Sequence, residues 1–127
     1  MAQEYCHVPY TAEITSTSTS EQTVLTIDGT NIGGLTDDYA IALEVVVIAL
    51  YTTQSYSEVQ QRWELVERRN GTLSIAHGTP ESIGAGLADT DVEISGNNIL
   101  VRATPSYTDN AVIRAFVRIL GVTSPIS

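Results

Sequence analysis

The sequence predicts an all-β protein: an antiparallel β-sandwich or jelly roll of about seven or eight strands with an extended N-terminal arm. Thr, Val, Ile and Tyr are frequent and Lys is absent, a composition typical of strands. Short apolar runs recur between clusters of turn residues. An Asn70-Gly71 pair lies between two such runs, as in a tight β-hairpin.

Size and charge exclude several classes of protein. The 127 residues fit one domain, which we divide into residues 1–14, an arm or first strand, and residues 15–127, a single sandwich domain. A net charge of −9 with six basic residues argues against nucleic acid as a partner. The longest apolar run, residues 39–51, is too short to span a membrane and contains Glu44. One cysteine and two histidines do not make a zinc site.

The first half of the chain contains two clear strand patterns. Residues 21–29 alternate and predict a strand that ends at Asp28-Gly29, and the Gly-rich residues 30–38 predict a loop. Residues 40–53 are rich in β-branched residues and apolar at both alternations, which predicts a central strand covered on both sides. Within that strand we expect Glu44 to face solvent or a subunit interface, because burial would require a partner such as an arginine.

Residues 57–69 fit two structures. A helix is possible because Ser57 and Gln60 form a capping box and Val59, Trp63 and Val66 share a helical face. A strand is possible because apolar and polar residues largely alternate up to Asn70-Gly71, which then forms a type I′ turn. The β-rich context and the strand pattern after the turn favour the hairpin.

The second half predicts a loop, a hairpin and a final strand. Residues 78–90 carry Gly and Pro breakers, so we expect a loop. Residues 92–101 contain a central Ser-Gly-Asn-Asn turn and predict a second hairpin. Residues 111–122 predict a strand with one apolar face and one that carries Arg114, Phe116 and Arg118. We expect the arginines to pair carboxylates across strands or subunits.

No catalytic constellation can be assembled from the sequence, so we expect no enzyme activity and no cofactor. Asp89, Asp91 and Glu93 share one face of an extended segment and are weak candidates for a Ca²⁺ site. The simpler explanation is that these three acids lie on the solvent-exposed face of an edge strand. His77 is expected at a strand end, without a neighbouring nucleophile or orienting acid.

The order of these segments resembles a small β-domain of tailed-bacteriophage virion structural proteins. In that group a strand ending in LDG precedes a long apolar strand, an I-x-R-x-x-G-x-T exit and a GTP element follow, and a WRA-x-V-R-x-x-x-V strand ends the chain. The matching pieces lie within residues 15–122, and Ile113 stands where the group has an aromatic residue. They are residues 25–29, 65–72, 78–80 and 114–122.

The resemblance implies a sandwich-like, commonly trimeric domain of the capsid surface or fibre tip, and it also favours the hairpin for residues 57–69. We expect a capsid cement or decoration protein on the virion surface, because the chain is short, starts at its own Met1 and has no shaft before the domain. Its partners would be itself, as a homotrimer, and the major capsid protein or another virion protein. The candidate core and interface residues are Tyr5, Tyr10, Leu43, Val45, Val47, Trp63, Leu65, Phe116 and Val117.

The alternative function is a tail-fibre or baseplate module that binds a host-surface glycan. In that case exposed tyrosines in loops would stack on sugar rings. The candidates are Tyr51, Tyr56 and Tyr107.

Overall fold

The chain folds as two antiparallel β-sheets packed face to face. The structure is a computed structural model that describes residues 3–32 and 38–123, with side chains described over residues 10–32 and 38–120. Every regular element in those ranges is a strand, which confirms the all-β sandwich, with nine strands rather than seven or eight. The strands are β1 (Gln3–Ser16), β2 (Gln22–Asp28), β3 (Tyr39–Tyr51), β4 (Ser57–Arg69), β5 (Thr72–His77), β6 (Glu81–Ala85), β7 (Leu87–Ser95), β8 (Asn98–Pro105) and β9 (Ala111–Thr123).

The larger sheet has six strands in the order β1-β9-β3-β4-β5, and β6 pairs with the other end of β4. The smaller sheet has the order β2-β8-β7. Within the described ranges there is no helix long and apolar enough to cross a membrane. The predicted N-terminal arm forms most of β1, an edge strand paired with β9. Tyr10 packs against the core of its own domain, whereas the side chain of Tyr5 lies outside the described residues.

The hairpin prediction for residues 57–69 is confirmed. Asn70 and Gly71 have φ angles of 52° and 77°, the paired positive values that a type I′ turn requires. Asp38, the residue before β3, supports the turn. Its carboxylate accepts hydrogen bonds from the backbone N–H of Asn70 at 2.6 Å and of Gly71 at 3.3 Å. These bonds lower the pKa of Asp38. The second predicted hairpin is also present, as β7 and β8.

The prediction of a loop over residues 78–90 is wrong, because β6 and the start of β7 lie there. The register explains β6: the six-residue β5 covers only one end of the 13-residue β4, and β6 pairs with the free end, from Ser57 to Gln61. Gly84 makes that pairing possible. It has a φ angle of 98°, and a Cβ there would lie 2.2 Å from the carbonyl oxygen of Ser57.

The core fills the space between the sheets. Alternate residues of β3 from Tyr39 to Tyr51 point inward and are buried. β9 contributes Ile113, Val117 and Ile119, and the small sheet contributes residues such as Ile27 and Ile99. Burial of such side chains stabilises the fold by about 1.5–3 kcal/mol each.

The prediction that β3 is covered on both sides is wrong for the single chain. The small sheet packs on one side of the large sheet only, so the even-numbered side chains of β3 face outward. Ile48 is 38% exposed and Leu50 is 55% exposed.

Candidate functional site: the outer face of the six-stranded sheet

The outer face is the side of the large sheet that points away from the small sheet. It contains apolar side chains from β3, β4 and β9 that are partly or largely exposed. We define it by Ala40, Ala42, Glu44, Val46, Ile48 and Leu50 of β3; Val59, Gln61, Trp63 and Leu65 of β4; and Val112, Arg114, Phe116, Arg118 and Leu120 of β9.

Strand register arranges these side chains in rows across the sheet. Val46 lies opposite Gln61 on one side and Phe116 on the other. Leu65 lies opposite Ala42, which in turn lies opposite Leu120. Directly opposed side chains on one face of a sheet lie about 5 Å apart, so the apolar residues are neighbours in rows, with Glu44, Gln61, Arg114 and Arg118 between them.

Glu44 lies at the centre of the outer face and has two partners. Arg118 donates to it at 2.9 Å, and the amide of Gln61 donates at 2.7 Å. Its side chain is 19% exposed. The sequence raised Glu44 as an anomaly that would need an arginine if covered, and Arg118 is that arginine. A second pair joins Arg114 of β9 to Glu13 of β1. The charges of this surface are therefore paired within the chain.

The candidate residues divide between the core and this outer face. Leu43, Val45, Val47 and Val117 are at most 1% exposed and lie in the core. Trp63, Leu65 and Phe116 are 42%, 44% and 37% exposed and lie on the outer face. The sequence grouped all seven together because an alternating pattern does not tell which alternation faces inward.

Sequence reasoning missed a polar network on the inner side of β4. The side chains of Glu58, Gln60, Arg62 and Glu64 point toward the small sheet and are 2% to 8% exposed. We call them, together with Thr90 of β7, the inner polar row. No composition or spacing rule identifies it, because the same alternation is read as the wet face of a strand.

Each member of the inner polar row has a partner. Glu58 accepts the backbone N–H of Leu87 at 2.8 Å, and Gln60 accepts the hydroxyl of Thr90 at 2.7 Å. Arg62 donates to Glu64 at 2.5 Å and to the backbone carbonyl of Thr90. The bonds to Leu87 and Thr90 join β4 of the large sheet to β7 of the small sheet.

His77 extends the inner polar row to the surface. Its Nδ1 lies 2.6 Å from the second carboxylate oxygen of Glu64, and its side chain is 46% exposed. The sequence placed His77 at a strand end without an orienting acid beside it in the chain. The fold supplies that acid from the neighbouring strand β4, since Glu64 and His77 are paired in register.

The acidic residues of β7 are grouped differently from the predicted Ca²⁺ candidate. Asp91 and Glu93 cluster with Glu21, and Asp89 is not in the group. Arg102 already contacts this cluster, at 3.0 Å from Glu21 and 3.3 Å from Glu93. Hydrogen bonding with the Asp91 carboxyl raises the pKa of Glu93, and the charge of Arg102 opposes that shift. A Ca²⁺ site remains a prediction.

The three tyrosines proposed for sugar stacking lie together at one end of the sandwich. Tyr51 is only 3% exposed, and its hydroxyl donates to the carbonyl of Gly86 at 2.6 Å, so its ring is not free to bind a ligand. Tyr56 and Tyr107 stack on each other with ring centroids 4.3 Å apart. The cluster therefore closes one end of the core, and only Tyr56 is substantially exposed, at 38%.

Two solved structures of phage tailspike proteins contain a region similar in structure to this chain. The structure superposes on part of the tailspike protein of Acinetobacter baumannii phage AM24 with a TM-score of 0.53 and 13% sequence identity, over 94% of this chain and 27% of that chain. The tailspike protein of Acinetobacter phage vB_ApiP_P1 matches with a TM-score of 0.46 and 15% identity, over 96% of this chain and 22% of that chain.

Sequence comparisons add nothing to this likeness: no protein-family model and no curated protein matches the chain. The chain spans about a quarter of the length of the tailspike proteins that it resembles in structure. What it shares with the AM24 tailspike is a fold, and a β-domain with that fold occurs within a phage virion protein.

Proposed function

We propose that this chain is a structural protein of a tailed-phage virion, without catalytic activity, that acts as a rigid β-sandwich module in a homotrimer. The observation that carries the proposal is the fold likeness to a segment of the AM24 tailspike over 94% of this chain. The segment order of the sequence points to the same class of protein independently of that likeness.

Two positions in the particle are compatible with this role. A capsid cement protein would bind where major capsid proteins meet, and its buried apolar contacts would help the shell to resist internal pressure. A tail module would form part of a spike or fibre assembly. The likeness to a tailspike segment favours the tail, whereas the sequence alone favoured the capsid surface.

The copy number of the chain in purified particles tests this proposal. Particles of the phage that encodes it would be digested, and the chain quantified against the major capsid protein and a tail protein with isotope-labelled peptide standards. A few copies per particle would support the tail position, and abundance near that of the capsid protein would support the cement position. Absence from particles would contradict the virion role.

A further inference from the structure

We propose that the outer face is the surface through which copies of this chain bind one another. The inference identifies the interface of the proposed homo-oligomer and rests on that part of the proposed function. It draws on three properties of the outer face: its apolar side chains, its balance of charge and its size.

Several large apolar side chains of the outer face and of the strand beside it are exposed to solvent. Leu50, Trp63 and Leu65 are each more than 40% exposed, and Ile83 of the adjoining edge strand β6 is 77% exposed. Ile83 also lines a groove of about 280 Å³ with Val46 and Val59. Contiguous apolar patches of this kind mark protein interaction sites.

The charge of the outer face suits a second copy of the same chain. With a net charge of −9, two copies repel each other through most of their surfaces. On the outer face Glu44 is paired with Arg118, and Arg114 is paired with Glu13. Glu81 of β6 is exposed and lines the groove with Ile83, at the edge of the sheet. Two outer faces can therefore approach with the charges at their centre already paired.

The paired charges also lower the cost of removing water. A buried polar group is expensive when it loses its hydrogen-bond partner. Glu44 takes its bonds from Arg118 and Gln61 of its own chain, so covering the outer face leaves this carboxylate satisfied. A partner with a strongly basic surface would instead be drawn to the acidic surfaces elsewhere on the molecule.

The size of the outer face is sufficient for a stable contact. The three 13-residue strands of the outer face, which rise about 3.3 Å per residue and lie about 4.8 Å apart, cover about 600 Å². The flanking strands β1 on one side and β5 with β6 on the other extend the same side of the sheet to about 1,000 Å². A standard interface takes about 800 Å² from each partner. A self-complementary face is what a two-fold dimer contact requires. In the proposed trimer the outer faces of three copies would instead meet at the three-fold axis, with different parts of each face contacting the two neighbours.

The test measures the mass of the purified full chain by light scattering over a dilution series. We expect a multiple of the 13.7 kDa monomer mass. Leu50→Glu and, separately, Leu65→Glu introduce a charge on the outer face, and at least one should shift the mass toward the monomer. Both positions are exposed in the single chain, so circular dichroism should show an unchanged fold.

Thr26→Glu is the matched control, because it adds the same charge at an exposed strand position of the small sheet and should keep the wild-type mass.

A wild-type monomer would overturn the inference and leave another virion protein as the occupant of the outer face. Oligomers that survive both outer-face changes, or that dissociate equally in the control, would also overturn it. A dimer would support the interface and contradict the trimer, and particle copy number tests the virion role separately.

Discussion

The two sides of β4 differ in a way that the two sides of β3 do not. On β3 both alternations are largely apolar, and the inward one is buried in the core. On β4 the inward side chains are Glu58, Gln60, Arg62 and Glu64, whereas the outward ones include Val59, Trp63 and Leu65. The polar half of β4 is buried and its apolar half faces outward, the reverse of the usual arrangement in a sandwich.

The difference shows that hydrogen bonds and an ion pair, rather than hydrophobicity, determine which side of β4 faces the small sheet. Arg62 neutralises Glu64, and Thr90 accepts from Arg62 and donates to Gln60. These contacts offset the cost of burying the row. The outward apolar residues then add to those of β3 and β9 on the outer face. One strand thus ties the two sheets together and supplies the surface that we assign to self-association.

The largest expected effect distinguishes a buried ion pair of the large sheet from an exposed one. Arg62→Met leaves the buried carboxylate of Glu64 with only His77, and we expect a loss of about 3–5 kcal/mol in the free energy of unfolding. Arg118→Met removes the exposed partner of Glu44 and should cost at most about 1 kcal/mol. Chemical denaturation in the Leu50→Glu background, in which the outer face is exposed to solvent, measures both losses.

A double variant sharpens that comparison. Arg62→Met together with Glu64→Leu removes the unpaired charge, so most of the lost stability should return. Equal losses for the two single arginine variants would contradict the assignment of the inner polar row as the buried one.

The second-largest expected effect is the difference in stability loss between truncating a buried leucine and truncating an exposed leucine of the same sheet. Leu43 is fully buried and Leu65 is 44% exposed. Leu43→Ala should cost about 2–5 kcal/mol because it leaves a cavity, and Leu65→Ala should change the stability by about 0.5 kcal/mol. Both are measured by denaturation in the Leu50→Glu background, which removes the contribution of assembly. A loss at Leu65 as large as that at Leu43 would mean that Leu65 is buried in the single chain.

Tyr39 provides a pH test of the inner, buried side of β3. Burial raises its pKa to about 12, above the unfolded value of about 10. Its contribution to stability is therefore complete below pH 10 and is lost as the pH rises through 12. Tyr39→Phe cannot ionise, so its unfolding free energy should lack this loss. The same alkaline decline in wild type and variant would contradict the burial of the Tyr39 hydroxyl.

The smallest expected effect is at the acidic cluster of the small sheet. Arg102 already supplies a cation to Glu21 and Glu93, so added Ca²⁺ should leave the melting temperature of the wild-type protein unchanged in a thermal-shift titration. Mg²⁺ serves as the control for a general salt effect. A selective increase of several degrees with Ca²⁺ would restore the metal site that the sequence raised as a weak candidate.

The sequence predicted what depends on local chemistry. The Asn70-Gly71 turn, the second hairpin and the alternation of β9 all follow from residue types at fixed spacing, and all are present. It failed at β6, where a strand forms because β4 has an unpaired edge rather than because residues 81–85 favour one.

The same limit applies to the candidate site. Trp63 and Phe116 could be selected from the sequence as core or interface residues, but their side of the sheet depends on which face the small sheet covers. The inner polar row depends on β7 lying above β4, a contact between residues about 30 positions apart in sequence. No pattern within β4 carries that information.

The most direct test of the central claim uses Trp63, the single tryptophan of the chain, which lies on the outer face and is 42% exposed in the isolated subunit. Acrylamide quenching of its fluorescence would be measured in the wild-type assembly, in Leu50→Glu and in Thr26→Glu. We predict that Trp63 is protected in the wild type and in Thr26→Glu, and becomes readily quenched in Leu50→Glu. Equal quenching in all three proteins would contradict the claim that copies of the chain meet through the outer face.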